Sequence, residues 1–116
     1  MIKGCTANMK QLALQDSHLA VADARKLPFK RADAVTTDPP YGRLSSTKGE
    51  ETKALVESSL ESLSPILSKG RYLCIALPSH IDIQEAAERN SFKTLERHLV
   101  YVHRSLTRAI TVLQRV

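Results

Sequence analysis

Apolar residues recur along the chain at two different spacings, and their alternation predicts a mixed order of helices and strands. Ile2 to about Leu14 reads as a helix with Met9, Leu12 and Ala13 on one side. His18 to Ala22 is a short apolar stretch that ends at Asp23, as a strand would. Leu27-Pro28-Phe29 opens a connection, because proline disfavours helix in the residue before it. Ala32 to Thr37 predicts a second strand, stopped by Asp38-Pro39-Pro40, and Gly42 to Gly49 predicts a polar loop. From Glu50 to Ser68 a longer helix is expected, with Leu55, Leu60, Leu63, Ile66 and Leu67 on its apolar side. Acidic residues are expected in its first turn, where the helix dipole favours them. Pro65 should bend or shorten the last turn, and Gly70 should end it. Arg71 to Leu77 is nearly all apolar, the pattern of a strand covered on both faces, and Pro78 stops it. Ile81 to Asn90 predicts a short helix. Phe92 to His103 and Leu106 to Val116 predict two strands joined at His103-Arg104-Ser105 as an antiparallel hairpin.

This is an α/β order closed by a hairpin, with no repeat or linker to divide it, and 116 residues suit one domain. In open α/β sheets, ligands gather beyond the carboxyl ends of the parallel strands. Topology alone therefore marks Asp23, Asp38 to Tyr41, Pro78 to His80 and the hairpin bend at His103 to Arg108.

Composition narrows the class. Apolar content of 42% and charged content of 25% exclude a disordered chain. No apolar run approaches the roughly 20 residues of a membrane-spanning helix, so no membrane partner is expected. Met1 to Cys5 lacks the apolar core of a secretory signal, and a cytoplasmic location is expected. Cys5 and Cys74 have no companions at metal-ligand spacing, so no metal site is expected. Cys74, inside an apolar run, is expected to pack as a small buried hydrophobe. The net charge is +5, and Arg97, His98, His103, Arg104, Arg108 and Arg115 crowd the last twenty residues. Such an excess fits an anionic partner, nucleic acid above all, and equally a solvated surface. Aromatic content of 4% without tryptophan argues against a single-strand binder built from stacking platforms.

Asp38-Pro39-Pro40-Tyr41 is the segment with the most specific chemistry. The amine on a purine or pyrimidine ring is a poor nucleophile, because its lone pair is delocalised. Methylating it requires acceptors for its protons and a lone pair aimed at the methyl donor. The Asp38 carboxylate and a carbonyl of the same turn are such acceptors. The prolines fix φ and stiffen the turn, and Tyr41 offers a ring on which an extruded base can stack. Positioning can then carry much of the rate without a strong base.

These four residues are similar to the Asp/Asn-Pro-Pro-aromatic signature of methyltransferases that act on amino groups of nucleic acids. Val21 to Phe29, Ala34 to Arg43 and His103-Arg104-Ser105-Leu106-Thr107-Arg108 narrow the likeness. Together they resemble the archaeal tRNA guanine-10 N2-methyltransferase family and its eukaryotic relatives. The resemblance implies an S-adenosyl-L-methionine cofactor and tRNA as the substrate. It implies a catalytic turn of Asp38, Pro39, Pro40 and Tyr41, and cofactor contacts from Asp23 and Ala24 at the adenine and from Asp38. Tyr41, His103, Arg104 and Arg108 are the candidate contacts to substrate RNA, the arginines as phosphate clamps. A histidine in a tight turn also commonly bonds backbone, and both uses of His103 stay open.

The sequence also departs from that family. The Gly-rich loop after the family's first strand, the acidic residue after its second and its N-terminal RNA-binding domain have no counterpart here. By that resemblance, residues 1–116 are expected to correspond to the C-terminal portion of the catalytic domain. The expected architecture is an incomplete Rossmann-like methyltransferase sheet with a C-terminal antiparallel hairpin, the first two strands of the full fold missing. Its sheet should rest on Ala32–Thr37, Arg71–Leu77 and the hairpin, with His18–Ala22 loosely placed. A second chain or an N-terminal segment is expected to complete it, and alone the chain should bind cofactor weakly or not at all. Two other readings remain: an adenine or cytosine amino-methyltransferase of DNA or ribosomal RNA, and a non-catalytic nucleic-acid-binding remnant.

Overall fold

Strand β1, Ala32–Thr37, forms where the sequence supplies the β-branched run Val35, Thr36 and Thr37 before the prolines. The computed structural model describes residues 22, 25–39 and 46–116, of which 46–50 by backbone alone. The expected helix from Ile2, the strand from His18 and the residues Asp23, Ala24, Pro40 and Tyr41 lie outside the described residues. Ala22 is described, exposed and in no strand.

Helix α1, Ser46–Leu63, leads to β2, Leu67–Pro78; helix α2, Gln84–Arg89, leads to β3, Phe92–His103, and β4, Leu106–Arg115. The four strands make one sheet in the order β1-β2-β4-β3. β1 and β2 are parallel, joined through α1, whereas β4 runs antiparallel to both β2 and β3. This is the sheet expected from the sequence, and it is mixed in the way that a terminal hairpin on a parallel pair requires.

Boundaries differ from those expected in both helices and in β2. α1 begins at Ser46 rather than Glu50, so its first turn holds no acidic residue and the expected dipole contribution is absent there. It ends at Leu63, before Pro65, whose ring cannot continue the helical ladder. Gly70 does not end a helix: it lies inside β2 with φ +87. There the register passes from Ala32↔Leu67 to Ala34↔Tyr72, two residues of β1 against five of β2. A bulge of this kind needs a left-handed backbone, and glycine adopts it without steric cost. A Cβ at Gly70 would meet nothing within 4 Å, so the requirement is conformational rather than spatial. α2 is also shorter than expected. Its first turn is anchored by Asp82, whose Oδ1 accepts from the Gln84 amide at 2.9 Å.

The core lies on one face of the sheet. Thr52, Val56, Leu60 and Leu63 form one side of α1 at helical spacing and are buried. They meet Leu73, Ile75 and Leu77 of β2 and Leu113 of β4, with Ala86, Ala87 and Phe92 closing the far end. The opposite face is different. Tyr72 is 49% exposed and Cys74 and Ala76 are half-buried, in register with Gln114, Val112 and Ile110 of β4. Among the described residues β2 is therefore covered on one face, not both, and Cys74 is not the fully buried side chain expected from its apolar run. Among the described residues, no helix is long and apolar enough to cross a membrane.

Candidate active site

Parallel pairing puts the carboxyl ends of β1 and β2 on one edge of the sheet. Because β4 runs the other way, its first residues return to that same edge, with Arg108 opposite Pro78. Strand order and direction thus bring Asp38 and Pro39, the segment after Pro78, and the start of β4 together, as topology predicts for a ligand-binding edge.

Asp38 is the first residue beyond β1, and its side chain is 56% exposed. Its Oδ2 forms an ion pair with Nη2 of Arg108, whose side chain is only 26% exposed. β2 lies between the strands that carry these residues, so the pair bridges two strand spacings, about 9–10 Å of sheet. Below the turn, between β1 and α1, is a cavity of about 280 Å³ lined by Asp38, Pro39, Leu27, Val35, Leu60 and Ile75. Its walls are mainly apolar. Leu27 is held there by its amide, which donates to Ser62 Oγ at 3.2 Å.

The β2–α2 connection is tied to the hairpin. Ser79 donates its amide to the Thr107 carbonyl at 2.8 Å, and its own carbonyl accepts from Arg97 Nη2 at 2.8 Å. His103 and Leu106 pair across a tip of Arg104 and Ser105, both exposed. His103 Nδ1 accepts from the Ser105 amide at 3.2 Å, so one ring nitrogen is engaged in the turn. No group of three or more His, Cys, Asp or Glu side chains among the described residues could hold a metal ion.

Of the residues singled out by sequence, Asp38, Pro39 and Arg108 come together, and His103 and Arg104 extend the same edge along the hairpin. Asp23, Ala24, Pro40 and Tyr41 are outside the described residues. Two features were not anticipated. One is the pairing of Arg108 with Asp38, which depends on the strand order and register rather than on any local pattern. The other is the brace from Arg97 to Ser79, eighteen residues apart in sequence. Only the basic crowding of the last twenty residues hinted at either.

Relatives and solved structures agree with this architecture. Residues 1–110 match the family described as UPF0020, RMKL-like, methyltransferase domain. The chain is 36% identical over 117 residues to a tRNA (guanine(10)-N2)-dimethyltransferase of Methanothermobacter thermautotrophicus, covering 100% of this chain and 34% of the relative. Identity to the enzyme of the same name from Pyrococcus abyssi is also 36%, over 98% of this chain and 35% of the relative. The chain therefore spans about a third of the length of these curated relatives. In fold it is similar to an S-adenosylmethionine-dependent methyltransferase from Clostridium acetobutylicum, with a TM-score of 0.74 at 12% identity over 97% of this chain and 70% of that one. With a match across nearly all of its residues, the chain belongs to the RMKL-like methyltransferase domain family.

Proposed function

We propose that these residues form the catalytic portion of an S-adenosyl-L-methionine-dependent methyltransferase acting on the exocyclic amine of a guanine in tRNA. The observation that carries this reading is the solvent-facing Asp38 carboxylate at the carboxyl edge of a parallel strand pair, immediately before Pro39. The names borne by relatives 36% identical support the same substrate.

Asp38 accepts a hydrogen bond from the guanine amine and turns its lone pair toward the methyl donor. A carbonyl of the same turn accepts from the second amine proton, and Pro39, which has no amide hydrogen, leaves that turn rich in acceptors. Tyr41 stacks on the extruded base. When bound, S-adenosyl-L-methionine supplies an electrophilic methyl group on a sulfonium centre. The residues that would hold it are Asp23 and Ala24 at its adenine and Asp38 near the reacting end. The fit is chemical: an exposed carboxylate at a strand end suits an adenine amine or a target amine, and suits an anionic ligand poorly. Among the described residues β1 is an edge strand, which is where further strands from another segment or a second chain would pair. Action on tRNA agrees with the cytoplasmic location expected from the sequence.

Methylation by the complete gene product, followed by mass spectrometry of tRNA nucleosides, tests the substrate. N2-methylated guanosine is the expected product, whereas methylated adenosine or cytidine would sink the guanine assignment. His103 and Arg104 position the RNA backbone from the hairpin. Replacing Arg104 with alanine should weaken tRNA binding and reduce the salt slope by about one, as loss of one phosphate contact requires. Binding measured across a salt series checks this, and an unchanged slope would remove Arg104 from the interface.

A further inference from the structure

Arg108 was expected to reach outward to phosphate, yet its guanidinium turns inward along the sheet edge to Asp38. We propose that Arg108 is a positioning residue for methyl transfer, holding the Asp38 carboxylate by Oδ2 so that Oδ1 faces the amine. The proposal rests on the reading of Asp38 as the amine acceptor.

Three observations carry it. First, the backbone of Asp38 is fixed on both sides, by the last residue of β1 and by Pro39, whereas its side chain is 56% exposed and would otherwise rotate freely. A carboxylate that must accept from one particular proton needs its plane set. A guanidinium does this better than any other cation, because its donors lie in a rigid plane. Second, Arg108 is itself held. It lies in β4 opposite Pro78 of β2, and the adjoining Thr107 carbonyl accepts from the Ser79 amide at 2.8 Å. The hairpin thus delivers the guanidinium from a rigid strand rather than from a loop. Third, the pair is a poor device for stability. Ion pairs with one partner mostly in solvent contribute little to folding, yet this one draws an arginine to 26% exposure. Orientation of Asp38 accounts for that placement. A phosphate clamp would leave the guanidinium in solvent, as Arg104 is.

The two roles separate in kinetics. With the complete gene product and tRNA, Arg108→Ala should lower kcat about 100-fold, the scale on which misplacing a reacting group acts. KM and Kd for tRNA should stay within about threefold, because no phosphate contact is lost. Arg108→Lys, which keeps the charge but not the planar fork, should recover part of kcat and exceed Arg108→Gln. If Arg108→Ala instead keeps its kcat, or loses tRNA affinity together with about one unit of salt slope, Arg108 is a phosphate clamp and the proposal is overturned. Should the alanine variant fail to fold, the lysine and glutamine variants decide the question alone: equal kcat in the two would overturn it. Failure of the wild-type protein to methylate guanine would be a different result, since it removes the substrate reading before any variant is compared.

Discussion

Replacing Asp38 with alanine is expected to lower kcat for guanine methylation by about 1000-fold, with tRNA affinity changed by less than about threefold. The amine must lose its share in the ring's π-system before its lone pair can attack, and an acceptor on its proton is most valuable at that moment. An interaction made chiefly in the transition state shows itself as a loss in kcat with KM preserved. Asp38 is also the partner of Arg108, so its removal leaves a guanidinium that is mostly out of solvent without that carboxylate. Asp38→Asn separates the two contributions. It keeps an acceptor oxygen but loses the charge that pairs with Arg108, and its kcat should fall by about 10- to 100-fold, between wild type and alanine. Single-turnover methylation and a tRNA binding titration, run on the same three proteins, give both quantities. An alanine variant with kcat within about tenfold of wild type would mean that Asp38 is a turn residue only.

How much of this site could be read in the sequence depends on how local each feature is. β1 has the bounds expected from its β-branched run and the prolines after it, β4 follows from its alternation, and β3 pairs with it across the short join at His103-Arg104-Ser105 as expected. The carboxyl-edge position of Asp38 follows from those elements, because a strand that ends at a proline pair must expose what comes next. Gly70 departs from its local sequence signal for a definite reason. A glycine after a helical pattern is the common signal of a helix end, but Pro65 had already ended α1, and the glycine was left to serve the bulge in β2. The apolar run around Cys74 suggested cover on both faces, and the described residues supply it on one. The link from Asp38 to Arg108 is the least legible feature. It joins positions seventy residues apart and exists only because β4 enters the sheet beside β2 in a register that sets Arg108 against Pro78.

The second large effect concerns stability, and it tests the one-sided core on which that edge is built. Leu60→Ala should destabilise the chain by about 4 kcal/mol, in the upper part of the range for a leucine deleted from a packed interior. Leu60 is 0% exposed and sits in α1 between Val56 and Leu63, against Ile75 and beside the cavity beneath Asp38 and Pro39. Removing it enlarges a void that already measures about 280 Å³, lined by Val35 on the β1 side and by Leu55, Val56 and Leu63 on the α1 side, and a larger residual cavity means a larger loss. Folded domains keep only about 5–15 kcal/mol of stability, so a loss of this size removes a large part of the reserve. Leu99→Ala on β3 is the control. Leu99 is 60% exposed, and its replacement should change stability by no more than about 0.5 kcal/mol. Urea unfolding followed by circular dichroism measures both, and an unchanged m-value would confirm that the loss is in the folded state. A Leu60→Ala loss below about 2 kcal/mol would mean that α1 does not pack on β2 as described, and the support for the Asp38 turn would go with it.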